Sequence, residues 1–140
     1  MKTFAPWYLG LLAELEAATQ GPDSALTLID QGLGVAEETG DHLTDPYLRR
    51  LRGRFLLDRD PANHGPAEDA YQTAIAIAKQ QGARSYELLA SLSLAKLYQS
   101  TDRLIDARAV LAPALEGFSP TPEMPEIAEA QALLGQLCVG

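Results

Sequence analysis

Five of the eleven basic residues, Arg49, Arg50, Arg52, Arg54 and Arg59, fall within the single stretch YLRRLRGRFLLDRD. Arginine presents a planar fork of donors that matches two carboxylate or phosphate oxygens at once, so such a cluster is a candidate anion site. Arg50 and Arg54 are four residues apart and on a helix would share one face. Two readings stay open: recognition of a carboxylate or acidic peptide, or a solvated basic helix balanced by acidic neighbours such as Glu14, Glu37 and Glu38. Nucleic acid suits neither, because the patch is short and the chain's formal charge of -8 repels phosphate backbones at long range.

The other reactive residue types are scattered. His64, in PANHGP near Asp58 and Asp60, has no second histidine or cysteine at ligand spacing and reads as part of a flexible turn, as does His42 in GDHLTD. The acid pairs Glu14/Glu16, Glu37/Glu38 and Glu68/Asp69 have the chemistry of a general acid and base, but their helical faces make them solubilising groups first. Trp7 and Tyr98 could stack on a ligand, yet both lie in apolar stripes and read as core. Cys138 is the only cysteine. It permits no intramolecular disulfide, reads as a packing thiol, and implies a cytoplasmic setting. The expectation is a chain with no catalytic site, no cofactor and no metal.

These residues need elements to hold them. At 140 residues the chain suffices for one domain that buries roughly two thirds of its unfolded surface. The N-terminal MKTFAPWYLGLLAELEAA is interrupted by Glu14 and Glu16 before a membrane span of about 20 residues, so neither signal peptide nor anchor is expected. Apolar positions recur at three and four, which predicts an all-α fold. Phe4, Trp7, Tyr8, Leu11, Leu12 and Leu15 form a first stripe. Ala25, Leu28, Ile29, Gly32, Leu33 and Ala36 form a second, after Gly21 and Pro22.

A third helix is expected with Asp45 as cap and Pro46 as first residue, ending near Arg59 and carrying Leu48, Leu51, Phe55 and Leu56 inward. Gly65 and Pro66 open a fourth, Ser85 a fifth. The sixth spans about Arg103 to Phe118 and contains Pro113, which should kink it. A seventh begins near Pro125.

The second, fourth and sixth helices repeat. Ala25-x3-Ile29-x2-Gly32-Leu33, Ala67-x3-Tyr71-x2-Ala74-Ile75 and Ala107-x3-Leu111-x2-Ala114-Leu115 share one pattern of small and large residues, with first members 42 and then 40 apart. The preceding helices carry Leu51-x-Gly53-x2-Leu56 and Ser93-Leu94-Ala95-x2-Tyr98. Small residues at these positions would let helices approach closely, and stacked hairpins bury a core that one hairpin cannot.

With these residues the chain resembles the tetratricopeptide repeat family. The resemblance implies a right-handed superhelix of about three helical hairpins, at about 4–42, 43–82 and 84–119, with a capping helix at about 125–138, all in one domain over 1–140. Ala25, Gly32, Gly53, Ala67, Tyr71, Ala74, Ala95, Tyr98, Ala107, Leu111 and Ala114 would be its packing positions. It further implies a groove lined by the first helix of each hairpin, into which Tyr47, Arg50, Arg54 and Leu57 point from one unit and Leu89, Leu92, Lys96 and Gln99 from the next.

The order WYLGLLAE, LRGRFLL, AEDAYQTAIAIAKQQGARSYELLASLSLAKLY, RLIDARAVLAPALEGF is also similar to the helical C-terminal tail of large bacterial ATPase and nucleotide-cyclase regulators. That likeness implies a signalling scaffold, here a detached tail or fragment, since no GxxxxGK[ST] phosphate loop occurs. The function expected is binding of a protein or peptide, with an acidic one favoured. An N-terminal end left partly uncovered at Phe4, Trp7 and Tyr8 would mean either missing preceding repeats or a self-association surface; a homodimer through it is the competing class, and a small-ligand-binding domain or enzyme a third. No nucleic acid and no membrane is expected as partner.

Overall fold

The computed structural model describes residues 5–116, 118 and 125–139; Phe4 and the side chain of Cys138 lie outside the described residues. Seven helices follow one another: α1 (Pro6–Thr19), α2 (Pro22–Thr39), α3 (Asp45–Arg59), α4 (Gly65–Gln81), α5 (Arg84–Ser100), α6 (Leu104–Leu115) and α7 (Pro125–Val139). Among the described residues there is no strand, and no helix is long and apolar enough to cross a membrane.

Local chemistry sets the ends. Pro6, Pro22, Pro46 and Pro66 occupy the first turns of α1 to α4, where a missing N–H costs nothing and the fixed φ suits a helix. Gly40 and Gly82 close α2 and α4 at φ +75° and +71°, the left-handed cap that a side chain would strain.

Three expectations are corrected. Asp45 is not the cap of α3: Thr44 takes that position, and Asp45 sits buried in the first turn with Oδ2 2.9 Å from His42 Nδ1. The fifth helix opens one residue earlier than expected, at Arg84. The sixth stops at Leu115 rather than running to Phe118, two residues beyond Pro113, whose missing N–H already costs the helix its bond to the Ala109 carbonyl. Arg84 of α5 satisfies carbonyls at the end of α6, donating to Ala114 at 3.4 Å and to Glu116.

The first stripe is also corrected. The buried face of α1 is Pro6, Leu9, Gly10 and Ala13, while Trp7, Leu11 and Leu15 are 52%, 47% and 65% exposed. Close approach decided between the faces. A Cβ on Gly10 would meet Tyr47 Cε2 at 2.4 Å and Leu48 Cδ2 at 3.0 Å, so only a residue without a side chain lets α3 lie there. Leu48 also reaches Gly32, and is wedged between the two glycines.

Helix contacts follow a simple rule. Each helix packs on the next in sequence, and each odd-numbered helix also touches the next odd one: α1 on α3, α3 on α5, α5 on α7. Among the described residues no Cα atoms of two even-numbered helices come within 8 Å of each other, although Arg103, just before α6, reaches Glu68 of α4. The core divides into two adjoining clusters, one around Ile29, Leu48, Leu51 and Phe55, the other around Tyr71, Leu88, Leu94 and Leu111. Each fully buried Leu or Phe contributes roughly 1.5–3 kcal/mol relative to exposure. The seam falls between α3 and α4, where Tyr71 packs on Gly53.

Candidate functional site: a basic cavity on the odd helices

The fold divides the arginine cluster into separate groups. Arg52 Nε donates to Asp30 Oδ1 at 3.2 Å, and Arg59 Nη1 lies 3.7 Å from Asp23, so both are tied to α2. Arg49 Nε is buried with no acceptor among the described residues and lines a small cavity with Arg52, Asp69 and Thr73. Arg50 and Arg54, one turn apart on α3, point elsewhere. The acidic neighbours proposed to balance the cluster are only partly those in place: Glu14 lies 3.8 Å from Arg54, while Glu37 and Glu38 are exposed on α2.

Arg50 and Arg54 line a cavity of about 650 Å³ bounded by α3, α5, Tyr71 of α4 and the loop between α3 and α4. Lys96 enters from α5, and Asp58 and His64 stand on the loop side. Three cations thus face one carboxylate. Lys96 is shared with Glu129 of α7, and Arg54 has only the loose contact with Glu14. Arg50 has no carboxylate partner among the described residues; its guanidinium lies 5.8 Å from the centre of the Tyr47 ring. Burial holds Arg50 below its usual basicity, against the pull of Glu14 and Tyr47. It remains a charged fork with its donors unused by any acid.

Tyr47 and Gln99 do not reach this cavity. The Tyr47 hydroxyl donates to Glu14 Oε2 at 2.7 Å, and its ring stacks on Tyr86 with centroids 6.4 Å apart. Burial and that hydrogen bond both push its phenol well above the usual range. Gln99 is exposed near the end of α5. In exchange, the fold brings in His64, Asp58 and Tyr71. His64 falls in the segment that read as a flexible turn; its position immediately before the helix-opening Gly65 and Pro66 was the available signal. Its carbonyl accepts from Glu68 N at 2.9 Å.

The proposed packing positions lie inside. Ala25, Gly32, Gly53, Ala67, Tyr71, Ala74, Ala95, Tyr98, Ala107, Leu111 and Ala114 are all buried. Tyr98 is core, and its hydroxyl donates to Glu68 Oε1 at 2.9 Å, while Arg103 grips both oxygens of Glu68 at 3.1 Å and lies 4.2 Å from the Tyr98 ring centre. This cluster borders a second cavity, of about 450 Å³, between α4, α5 and α6. Its charges satisfy one another, so it offers a ligand less than Arg50 does.

Among the described residues no group of three or more His, Cys, Asp or Glu could hold a metal ion. The chain matches no protein-family model, no curated protein and no solved structure.

Proposed function

We propose that the chain is a non-catalytic scaffold that binds an acidic peptide or protein segment in a groove along its odd-numbered helices. The observation that carries this reading is Arg50: a half-buried guanidinium beside an open cavity, flanked by Arg54 and Lys96 and lacking a carboxylate of its own among the described residues. A desolvated cation without a counter-charge gains most from a ligand carboxylate presented in fork geometry.

The row of odd helices supports a stack of the tetratricopeptide type, three hairpins closed by α7, because such a stack joins its first helices and leaves its second helices apart. The likeness to the tails of bacterial signalling ATPases and cyclases supplies the setting, a cytoplasmic regulatory arm that recruits and does not react. The candidate acids favour recognition over chemistry: Glu68 is held by Tyr98 and Arg103, and Glu87 by Arg84.

The test is an array of random-sequence peptides graded by net charge. Acidic peptides should bind and basic ones should not, and Arg50→Glu with Arg54→Glu should abolish the binding while the helical signal stays unchanged. Binding independent of peptide charge, or unaffected by the double substitution, would discard the groove.

A further inference from the structure

Asp58 closes the row that Arg50 and Arg54 begin. The three follow one another at intervals of one helical turn on α3 and line the same cavity, so along that face the charge runs positive, positive, negative. Asp58 is exposed and basic groups surround it: Arg54 one turn before, Arg59 next in sequence, Lys96 and His64 in the cavity. Among the described residues it pairs with none of them. Arg54 leans to Glu14 at 3.8 Å, Arg59 to Asp23 at 3.7 Å, and Lys96 to Glu129.

The fold gains nothing from this carboxylate. Helix α3 ends at Arg59, so Asp58 lies in its last turn, at the negative end of the helix dipole, where an anion is unfavourable. An acid that opposes its own helix and answers no basic neighbour is explained by a ligand. Tyr71 lies between the two ends of the row. Burial raises its phenol, and of the charges acting on it Arg50 and Arg54 oppose the rise while Asp58 assists, so the ring stands in the field of both signs. The carboxylate that acts on Arg50 itself is Glu14. The cavity thus offers a cation without a close acid at one end and an acid without a close cation at the other.

We infer, building on the reading of this cavity as a groove for an acidic segment, that Asp58 is its second point of recognition and takes a basic residue of the same bound segment. The site reads an acid and a base at a fixed spacing, and not net charge alone. From Arg50 to Asp58 the helix rises about 12 Å. An extended chain advances about 3.3 Å per residue and covers that distance in roughly three to four residues. A helical ligand of the same length and about 10 Å across would occupy more than the about 650 Å³ available, so the occupant is extended.

The probes are dye-labelled peptides of glycine and serine with one fixed pair of glutamates and one lysine placed from one to eight positions away, together with a reference that has the glutamates and no lysine. Fluorescence anisotropy should show the lysine at three or four positions binding about two- to fivefold tighter than at one or eight, the strength of an exposed ion pair. All the lysine peptides carry the same charge, so net charge cannot produce that difference. Asp58→Asn should erase the preference and tighten binding of the reference peptide, with the helical signal kept and melting unchanged or higher. A reference peptide that binds while lysine spacing makes no difference overturns the inference and leaves the acidic groove standing. A spacing preference that survives Asp58→Asn overturns it too, as does a fall in melting, which would assign the carboxylate to the fold. A reference peptide that does not bind, or that ignores Arg50→Glu with Arg54→Glu, removes the groove and this inference with it.

Discussion

Tyr71 of α4 rests on the backbone of α3 at Gly53, where a Cβ would stand 2.6 Å from Cε1 and 2.9 Å from Cδ1 of the ring. The ring is buried and cannot swing aside as the tip of a flexible side chain would. The contact is one of several by which α3 joins the two parts of the core, beside Leu57 and the Tyr47–Tyr86 stack.

Gly53→Ala should therefore destabilise the chain even though alanine is the better helix former. Overpacking costs about 1–3 kcal/mol and the helix preference returns about 1 kcal/mol, for a net loss of up to roughly 2 kcal/mol in urea titration. Gly34, in the interior of α2 with nothing within 4 Å of its would-be Cβ, is the control. Gly34→Ala should gain roughly 0.5–1 kcal/mol. A Gly53→Ala chain as stable as its parent would show that the ring does not hold this position.

Arg84 joins the start of α5 to the end of α6, giving 3.0 Å to Glu87 Oε1 and further bonds to the carbonyls of Ala114 and Glu116. Glu87 is buried, its side chain 4% exposed. Arg84→Ala should cost about 1–3 kcal/mol, less than a fully buried pair because the arginine itself is half exposed. Adding Glu87→Gln should recover part of the loss by removing the stranded charge, which paired urea midpoints would reveal.

Burial raises the Tyr71 phenol from 10.0 to about 12, opposed by Arg50 and assisted by Asp58. The unfolded chain sheds this proton near pH 10 while the folded chain keeps it, so the contribution is complete below pH 10 and is lost as pH rises towards 12. The steepest fall from this one group is about 1.4 kcal/mol per pH unit. Tyr71→Phe should flatten the alkaline branch of a stability profile between pH 9 and 12 (roughly the window of that titration). The flattening is partial, since Tyr47 and Tyr98 are raised too.

Peptide capture at Arg50 should weaken as salt is added, because exposed Arg54 and Lys96 are screened over about 8 Å at physiological ionic strength. Arg50→Lys keeps the charge and loses the fork, so it should bind less tightly than the parent at every salt concentration. Equal affinity for the two side chains, measured by fluorescence anisotropy, would argue against a bidentate contact.

Periodicity and punctuation were enough to find all seven helices, because proline at the first turn and glycine at the last act through local sterics that any sequence displays. The inward face of α3, with Leu48, Leu51, Phe55 and Leu56, was legible for the same reason. The face of α1 was not: hydrophobicity favoured Trp7, Leu11 and Leu15, whereas the crossing with α3 required the smallness of Gly10, and a pattern of apolar positions does not weigh those against each other. Of the site, the shared side of Arg50 and Arg54 could be read from their spacing, and the arrival of Lys96 from the repeat. Asp58, four residues after Arg54 on α3, follows from the same spacing, whereas the approach of His64 depends on the path of the loop between α3 and α4. The diversion of Tyr47 to Glu14, 33 residues away, was hidden likewise.

The missing contact between even-numbered helices has a mechanical corollary. Odd helices form a continuous hinge line, whereas α4 and the start of α6 are bridged chiefly by the Glu68 and Arg103 clasp at their ends. Each of α2, α4 and α6 still packs on both of its odd-numbered neighbours, so any give in the stack falls on the side away from the odd row, and strong brine, by slackening the clasp, should loosen that side first.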